Sequence, residues 1–143
     1  MTVARILAVK GRDVFTTPPH RTLLETAKLL ASKSIGALVV TGADGAVLGI
    51  ISERDIVLAL AAGGMGALGD AVSAHMTSEV FTATSGACID DIMERMTHSR
   101  FRHVPVMEDE RLAGLISIGD VVKHRIAEIE TEHRALREYI ATA

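Results

Sequence analysis

The sequence predicts an α+β fold made of two copies of one β-α-β-β-α unit, packed sheet to sheet, followed by a long C-terminal helix. Three observations carry this reading. Gly49-Ile50-Ile51-Ser52-Glu53-Arg54-Asp55 returns sixty-five residues later as Gly114-Leu115-Ile116-Ser117-Ile118-Gly119-Asp120. This is the pattern G-h-h-S-x-x-D, and self-similarity at a long fixed period marks a duplicated structural unit. The flanks repeat as well: Val14-Phe15-Thr16 matches Val80-Phe81-Thr82 and Leu38-Val39-Val40 matches Val104-Pro105-Val106, both sixty-six residues apart. Within each copy, short β-branched runs alternate with amphipathic stretches of helical period.

Taken in order, Phe15-Thr16 forms a short strand ended by Pro18-Pro19. Thr22 precedes an amphipathic helix carrying Leu23, Ala27, Leu29 and Leu30 and running to about Lys33. Ala37 to Thr41 and Val47 to Ile51 are β-branched strands, joined by a turn containing Gly42, Asp44 and Gly45. Ser52 opens the next helix and Gly63-Gly64 closes it. The second unit repeats the scheme with a strand at Val80 to Thr82, a helix from Ala87 to His98, strands at Val104 to Met107 and Arg111 to Ile116, and a helix from Ile118. The period shortens by one residue between Val40 and Gly49, where a turn tolerates the loss. A sheet with one apolar face must cover it, so the two units should pack against each other. These elements divide the chain into residues 1–70 (first unit with its N-terminal lead and linker), 71–125 (second unit) and 118–143 (extended helix). Val122, Ile126, Ile129, His133, Leu136 and Ile140 are spaced alternately four and three, which is heptad spacing. That stripe predicts self-association, with the chain as a homodimer.

Composition narrows the function. The chain has 143 residues, is 48% hydrophobic and carries a formal net charge of −3, with mean hydropathy +0.30 and a pI near 6.0. This is a folding chain without the basic balance of a general nucleic-acid binder. Arg5 and Lys10 interrupt any signal-length apolar run at the N-terminal end, and no stretch is long enough to span a membrane. The one cysteine, Cys88, cannot pair within the chain, which fits a reducing compartment. A cytoplasmic location follows as the expectation. The six histidines show no metal-ligand spacing with each other or with Cys88, and no triad or paired-carboxylate pattern supports catalysis.

The chemistry therefore lies in the repeated serine and aspartate. S-x-x-D before an apolar run is a capping box, in which hydroxyl and carboxylate satisfy backbone N–H groups at a helix start. The glycine three residues earlier, present in both copies, adds a bulge or a close backbone approach. A helix N-terminus also offers free N–H groups and a positive dipole end to an anion, and its carboxylate can accept both hydroxyls of a ribose.

At these residues the chain resembles the cystathionine-β-synthase (CBS) domain family. The motifs are V-F-T at the first strand, I-G-A-L-V-V and R-H-V-P-V at the second, G-I-I-S-E-R-D and G-L-I-S-I-G-D at the third, and V-S-A-H-M-T leading into the second repeat. The resemblance spans Val14 to Val122 as a tandem pair, or Bateman module, with pseudo-two-fold symmetry. It implies clefts between the repeats that bind adenosyl ligands: AMP, ADP or ATP, with NAD or S-adenosylmethionine as the alternatives. Carried over by position, Asp55 and Asp120 hold ribose hydroxyls, and Ser52 and Ser117 contact ribose or phosphate. The base lies against backbone near Thr16, Thr82, Gly36, Ala37, Arg102 and His103, with Pro105 in the same strand motif and Thr77 lining the cleft. Backbone rather than stacked rings would read the adenine.

The copies differ. Glu53-Arg54 stands where the second copy has Ile118-Gly119, and Arg100, Arg102 and His103 stand where the first has Ser34, Gly36 and Ala37. Arginine suits bidentate phosphate contact, so Arg54, Arg102 and His103 are read as phosphate contacts and Arg100 as a solvated surface charge. The resulting expectation is a non-catalytic sensor that passes energy or metabolite status to a regulated protein. Its rivals are a ligand-independent dimeric scaffold and an adenine-nucleotide enzyme.

Overall fold

The computed structural model describes residues 1–142. In the first half, β1 (Thr16–Thr17) runs parallel to β2 (Ala37–Thr41), which pairs antiparallel with β3 (Val47–Ser52). Helix α2 (Leu23–Lys33) starts at Thr22, whose hydroxyl accepts the Glu25 N–H, and ends at Ser34 in the left-handed region. Helix α3 (Glu53–Gly63) starts at Ser52. Leu38, Val40 and Ile51 meet Leu23 and Leu30 of α2 and Ile56 and Ala59 of α3 in one core. Successive strand residues point to opposite faces, and Ala37 and Val39 on the other face are buried too. Both faces of β2 are therefore covered, as two sheets packed face to face require.

The second half holds α4 (Ile89–Ser99), then β4 (His103–Glu108) antiparallel to β5 (Arg111–Ser117), then α5 (Ile118–Thr142). The strand expected at Val80–Thr82 does not form, and this sheet has two strands rather than three. Only the next residue, Ala83, touches β4: its N–H donates to the Pro105 carbonyl at 3.0 Å and its carbonyl accepts the Met107 N–H at 2.8 Å. Side chains hold the missing strand's place. Phe81 packs on Phe101 with centroids 5.5 Å apart and lies under the Arg95 guanidinium at 4.6 Å.

The segments leading into the two halves are exchanged. Residues 3–10 form an unexpected helix, α1 (Val3–Lys10). Its buried Val3, Ile6 and Leu7 join Ile89, Ile92, Val104, Ile116 and Val121 in the core of the second half. Backbone bonds fasten it there, Val3 N–H to Ala87 O at 3.0 Å and Ile89 N–H to Met1 O at 3.1 Å. In return Val72, from a short 3-10 turn (Val72–Ala74), is buried in the core of the first half, with Met76 packed against it. The intervening Gly64–Gly69 stretch is itself a 3-10 helix. Division at residue 70 thus separates the two strand-and-helix bodies but cuts each lead away from the core it completes. Each fully buried Leu, Ile or Val contributes about 1.5–3 kcal/mol, so three of them secure α1 firmly.

The glycines explain how the leads fit. A Cβ on Gly49 would lie 2.6 Å from the Thr77 carbonyl oxygen and 2.8 Å from Met76 Sδ. A Cβ on Gly114 would lie 2.7 Å from Leu7 Cδ2. Each glycine also sits beside a register shift, at Val40/Thr41 in the first hairpin and Val106/Met107 in the second. The repeated glycine thus serves chain crossing. The one-residue deletion falls in the turn, beyond the Thr41↔Val47 and Met107↔Leu112 pairs.

Helix α5 has 25 residues and reaches roughly 37 Å at 1.5 Å per residue. Only Val121 on it is buried. Val122, Ile126, Ile129, Leu136, Tyr139 and Ile140 are exposed. Among the described residues, no helix is long and apolar enough to cross a membrane.

Gly49→Ala and Gly114→Ala should therefore differ. The first meets a backbone carbonyl that cannot yield and should cost about 3 kcal/mol or prevent folding. The second meets the end of a leucine that can rotate and should cost about 1 kcal/mol. Urea unfolding of the two variants checks the order, and equal losses would contradict it.

Candidate ligand cleft between the two halves

Each G-h-h-S-x-x-D segment turns from a strand end into a helix, and in both the capping box is made. Ser52 N–H donates to Asp55 Oδ2 at 2.8 Å, the Ser52 hydroxyl donates to the same oxygen at 3.0 Å, and Asp55 N–H donates to Ser52 Oγ at 3.3 Å. In the second copy Ser117 N–H donates to Asp120 Oδ2 at 2.8 Å and Asp120 N–H to Ser117 Oγ at 3.1 Å. The turns are anchored alike: Glu53 N–H donates to Gly36 O at 2.9 Å, and Ile118 N–H to Arg102 O at 2.8 Å. These bonds use one oxygen of each carboxylate, Oδ2. The capping function and a ligand contact through Oδ1 are therefore compatible.

A cavity of about 510 Å³ opens where the first clamp meets the second half, within the range that holds a drug-sized ligand. Gly36, Ser52, Arg54 and Asp55 line it from the first half. Thr77, paired with Ile50 beside β3, lines it as well, and Arg102 and His103 line it from the second half. Seven of the thirteen residues singled out from sequence are thus brought to one place. Six are not. Thr16 and Thr82 are exposed and do not line it, Ala37 and Pro105 are buried in their strands, and Ser117 and Asp120 belong to the second clamp.

Several lining residues were missed or misread. Arg100 lines the cavity rather than facing solvent alone, and it holds a left-handed backbone at φ 57° where glycine or asparagine is usual. Arg95, Phe81 and Phe101 line it as well. Two of the three phenylalanines of the chain thus border the cavity, so its wall is not backbone alone. The V-F-T match carried that signal, because it repeated an aromatic residue beside the clamp. None of Arg54, Arg95, Arg100 and Arg102 forms an ion pair among the described residues. Glu53, Asp55 and Glu79 share the lining with them.

The two clamps differ electrically. Burial would raise the Asp120 carboxyl, but hydrogen bonds from Lys10 and the Ser117 backbone, with the Lys10 charge, outweigh it and hold the group below its usual range. Burial lowers the His103 imidazole, helped by Lys10 and Arg102 and opposed by Asp120 and Glu53. His103 therefore lies within electrostatic reach of both clamps. Cys88, at the position matching Thr22, is the N-cap of α4 without a side-chain bond. Among the described residues no group of three or more His, Cys, Asp or Glu is placed to hold a metal ion.

Comparison with known proteins adds to this geometry. The family model described as CBS domain matches residues 7–62 and 70–127. The chain is 35% identical over 147 aligned residues to the mitochondrial CBS domain-containing protein CBSX3 of Arabidopsis thaliana, covering 97% of this chain and 71% of the relative. Its fold is similar to that of a CBS-domain containing protein from Agrobacterium tumefaciens, at 51% identity and a TM-score of 0.86, covering 87% of this chain and 99% of the other. It is also similar to the CBS domain pair of the protein MJ0100, whose structure is a complex with 5′-methylthioadenosine and S-adenosyl-L-methionine, at 26% identity and a TM-score of 0.80, covering 90% and 98%.

The lowered His103 pKa has a thermodynamic sign. In the folded state the imidazole binds protons less readily than in the unfolded chain, where its value is about 6.5. Its contribution to stability is complete above that value and is lost as pH falls from there through the lower folded value. Replacing His103 with Gln should flatten the decline in melting temperature between pH 7.5 and about 5. An unchanged slope would place the titration elsewhere.

Proposed function

Because the chain belongs to the CBS domain family, as a tandem pair of repeats, we propose that it is a non-catalytic regulatory module. It binds an adenine nucleotide of the AMP, ADP or ATP class in the cleft between its halves and passes occupancy to a partner protein. The observation that carries this is the cavity lined by Ser52 and Asp55 together with two phenylalanines and four arginines. A ribose diol suits the Asp55 carboxylate, an adenine suits the aromatic wall, and phosphates suit guanidinium groups free of ion pairs. Arg54, Arg102 and His103 are the phosphate contacts in this reading. Gly36 and Thr77 border the nucleoside.

S-adenosylmethionine is the second reading, favoured by the complex of the MJ0100 pair with that ligand and with 5′-methylthioadenosine. A sulfonium among four arginines is electrostatically less suited than a phosphate, which places the nucleotide first. Output requires that the ligand favour one arrangement of the module over another. The exposed stripe of α5, from Val122 to Ile140, is the surface through which two copies would associate, giving a homodimer whose packing could carry that change. Asp120 and Ser117 repeat the ribose clamp in the second half.

Isothermal titration tests the ligand class directly. AMP, ADP or ATP should bind the wild type. Asp55→Asn should abolish that binding while leaving the far-ultraviolet circular dichroism unchanged; a variant that loses only stability would favour a scaffold. Arg102→Ala should weaken AMP by about tenfold or more and adenosine far less; equal losses would remove Arg102 from the phosphate site. Light scattering should give twice the mass of the chain, falling toward one when Ile126, Ile129 and Leu136 are replaced together by serine.

A further inference from the structure

We propose that Lys10 is an intramolecular occupant of the Ser117–Asp120 clamp, so that the chain takes one nucleotide, in the Ser52–Asp55 cleft, and holds its second clamp latched. The proposal rests on the reading of both Ser–Asp turns as ribose clamps, and it concerns the regulation of the second.

The latch arises from a difference between the exchanged leads. Beside β3 the lead is extended, and Thr77 N–H donates to the Ile50 carbonyl at 2.9 Å. The matching carbonyl in the second half belongs to Leu115. The lead that reaches it is the end of helix α1, which cannot pair as a strand. The Lys10 side chain supplies the donor instead, with Nζ 2.6 Å from the Leu115 carbonyl oxygen. The same ammonium lies 2.6 Å from Asp120 Oδ2. In the first half the corresponding donor is the uncharged Thr77 N–H, and Asp55 forms no ion pair among the described residues.

The two clamps therefore present different surfaces to a ribose. Asp55 is engaged by its own cap, from Ser52 N–H and the Ser52 hydroxyl. Asp120 is engaged by its cap and also by a full positive charge. Lys10 sits on Oδ2, the oxygen the cap already uses, so the latch acts by neutralising the carboxylate rather than by filling Oδ1. A charge-assisted bond from an ammonium is roughly twice as strong as one from a neutral hydroxyl, which leaves Asp120 a weaker acceptor for a diol than Asp55. The pair is not sealed, because the side chains of Lys10 and Asp120 remain 35% and 23% accessible. The groups that act on neighbouring His103 are Lys10, Asp120, Glu53 and Arg102.

The test is the stoichiometry of ATP binding to the full chain by isothermal titration. The wild type should bind one ATP, Lys10→Met two, and Lys10→Arg, which keeps the charge, one. Combining Lys10→Met with Asp55→Asn should leave one site. Two sites in the wild type, or one site in Lys10→Met, overturns the latch while leaving the nucleotide reading intact. No binding by any of these proteins overturns both. A ligand-free readout guards against a misfolded variant: His103 followed by NMR should titrate at higher pH in Lys10→Met, since a positive neighbour has gone. An unchanged His103 titration with a native-like spectrum would also overturn the latch.

Discussion

The structure depends on an exchange: each half is completed by the segment that precedes the other half in sequence. Val3, Ile6 and Leu7 finish the core made by β4, β5, α4 and α5. Val72 finishes the core of β2, β3, α2 and α3. The exchange is sterically possible because Gly49 and Gly114 leave no Cβ in the path of the crossing chain. Neither half is a closed unit by itself, because each core is completed by the lead that precedes the other half. The cavity walls come from both halves, which the two crossing leads tie together.

The same exchange produces the inequality of the two clamps. One lead arrives extended and pairs by backbone, while the other arrives as a helix and pairs through a lysine. Duplication supplied two similar turns, with matching anchors at Gly36 and Arg102. The differing leads then gave one clamp a neutral neighbour and the other a charged one. His103 lies between these fields, which explains why opposing influences from Lys10, Asp120 and Glu53 meet on a single imidazole.

Much of the fold was legible because duplication repeats its own signals. The strand-to-helix turns at Ser52 and Ser117, the hairpin strands and the long last helix all form where the repeated pattern places them. Helix α1 was hidden for a physical reason. Val3, Ile6, Leu7 and Lys10 have helical spacing, but eight residues with two cations carry a weak periodic signal, and their partner core lies about a hundred residues away in sequence. The lost strand at Val80–Thr82 shows the converse error. Its match to Val14–Thr16 concerns residue type, whereas strand pairing is decided by what the side chains hold, here Phe81 against Phe101 and Arg95. At the site, the motif residues Ser52 and Asp55 were readable, since capping chemistry is local. Phe101, Arg95 and Arg100 were not, because only the packing of one half on the other brings them to the cavity.

Helix α1 also sets an order of events in time. It precedes β4 and β5 by roughly a hundred residues, so during synthesis its apolar face exists before the strands that cover it. Contacts of such sequence separation form late, because the intervening loop must first be closed. Until then Val3, Ile6 and Leu7 remain without a core. Docking of α1 therefore comes late in the folding of the half that contains β4 and β5.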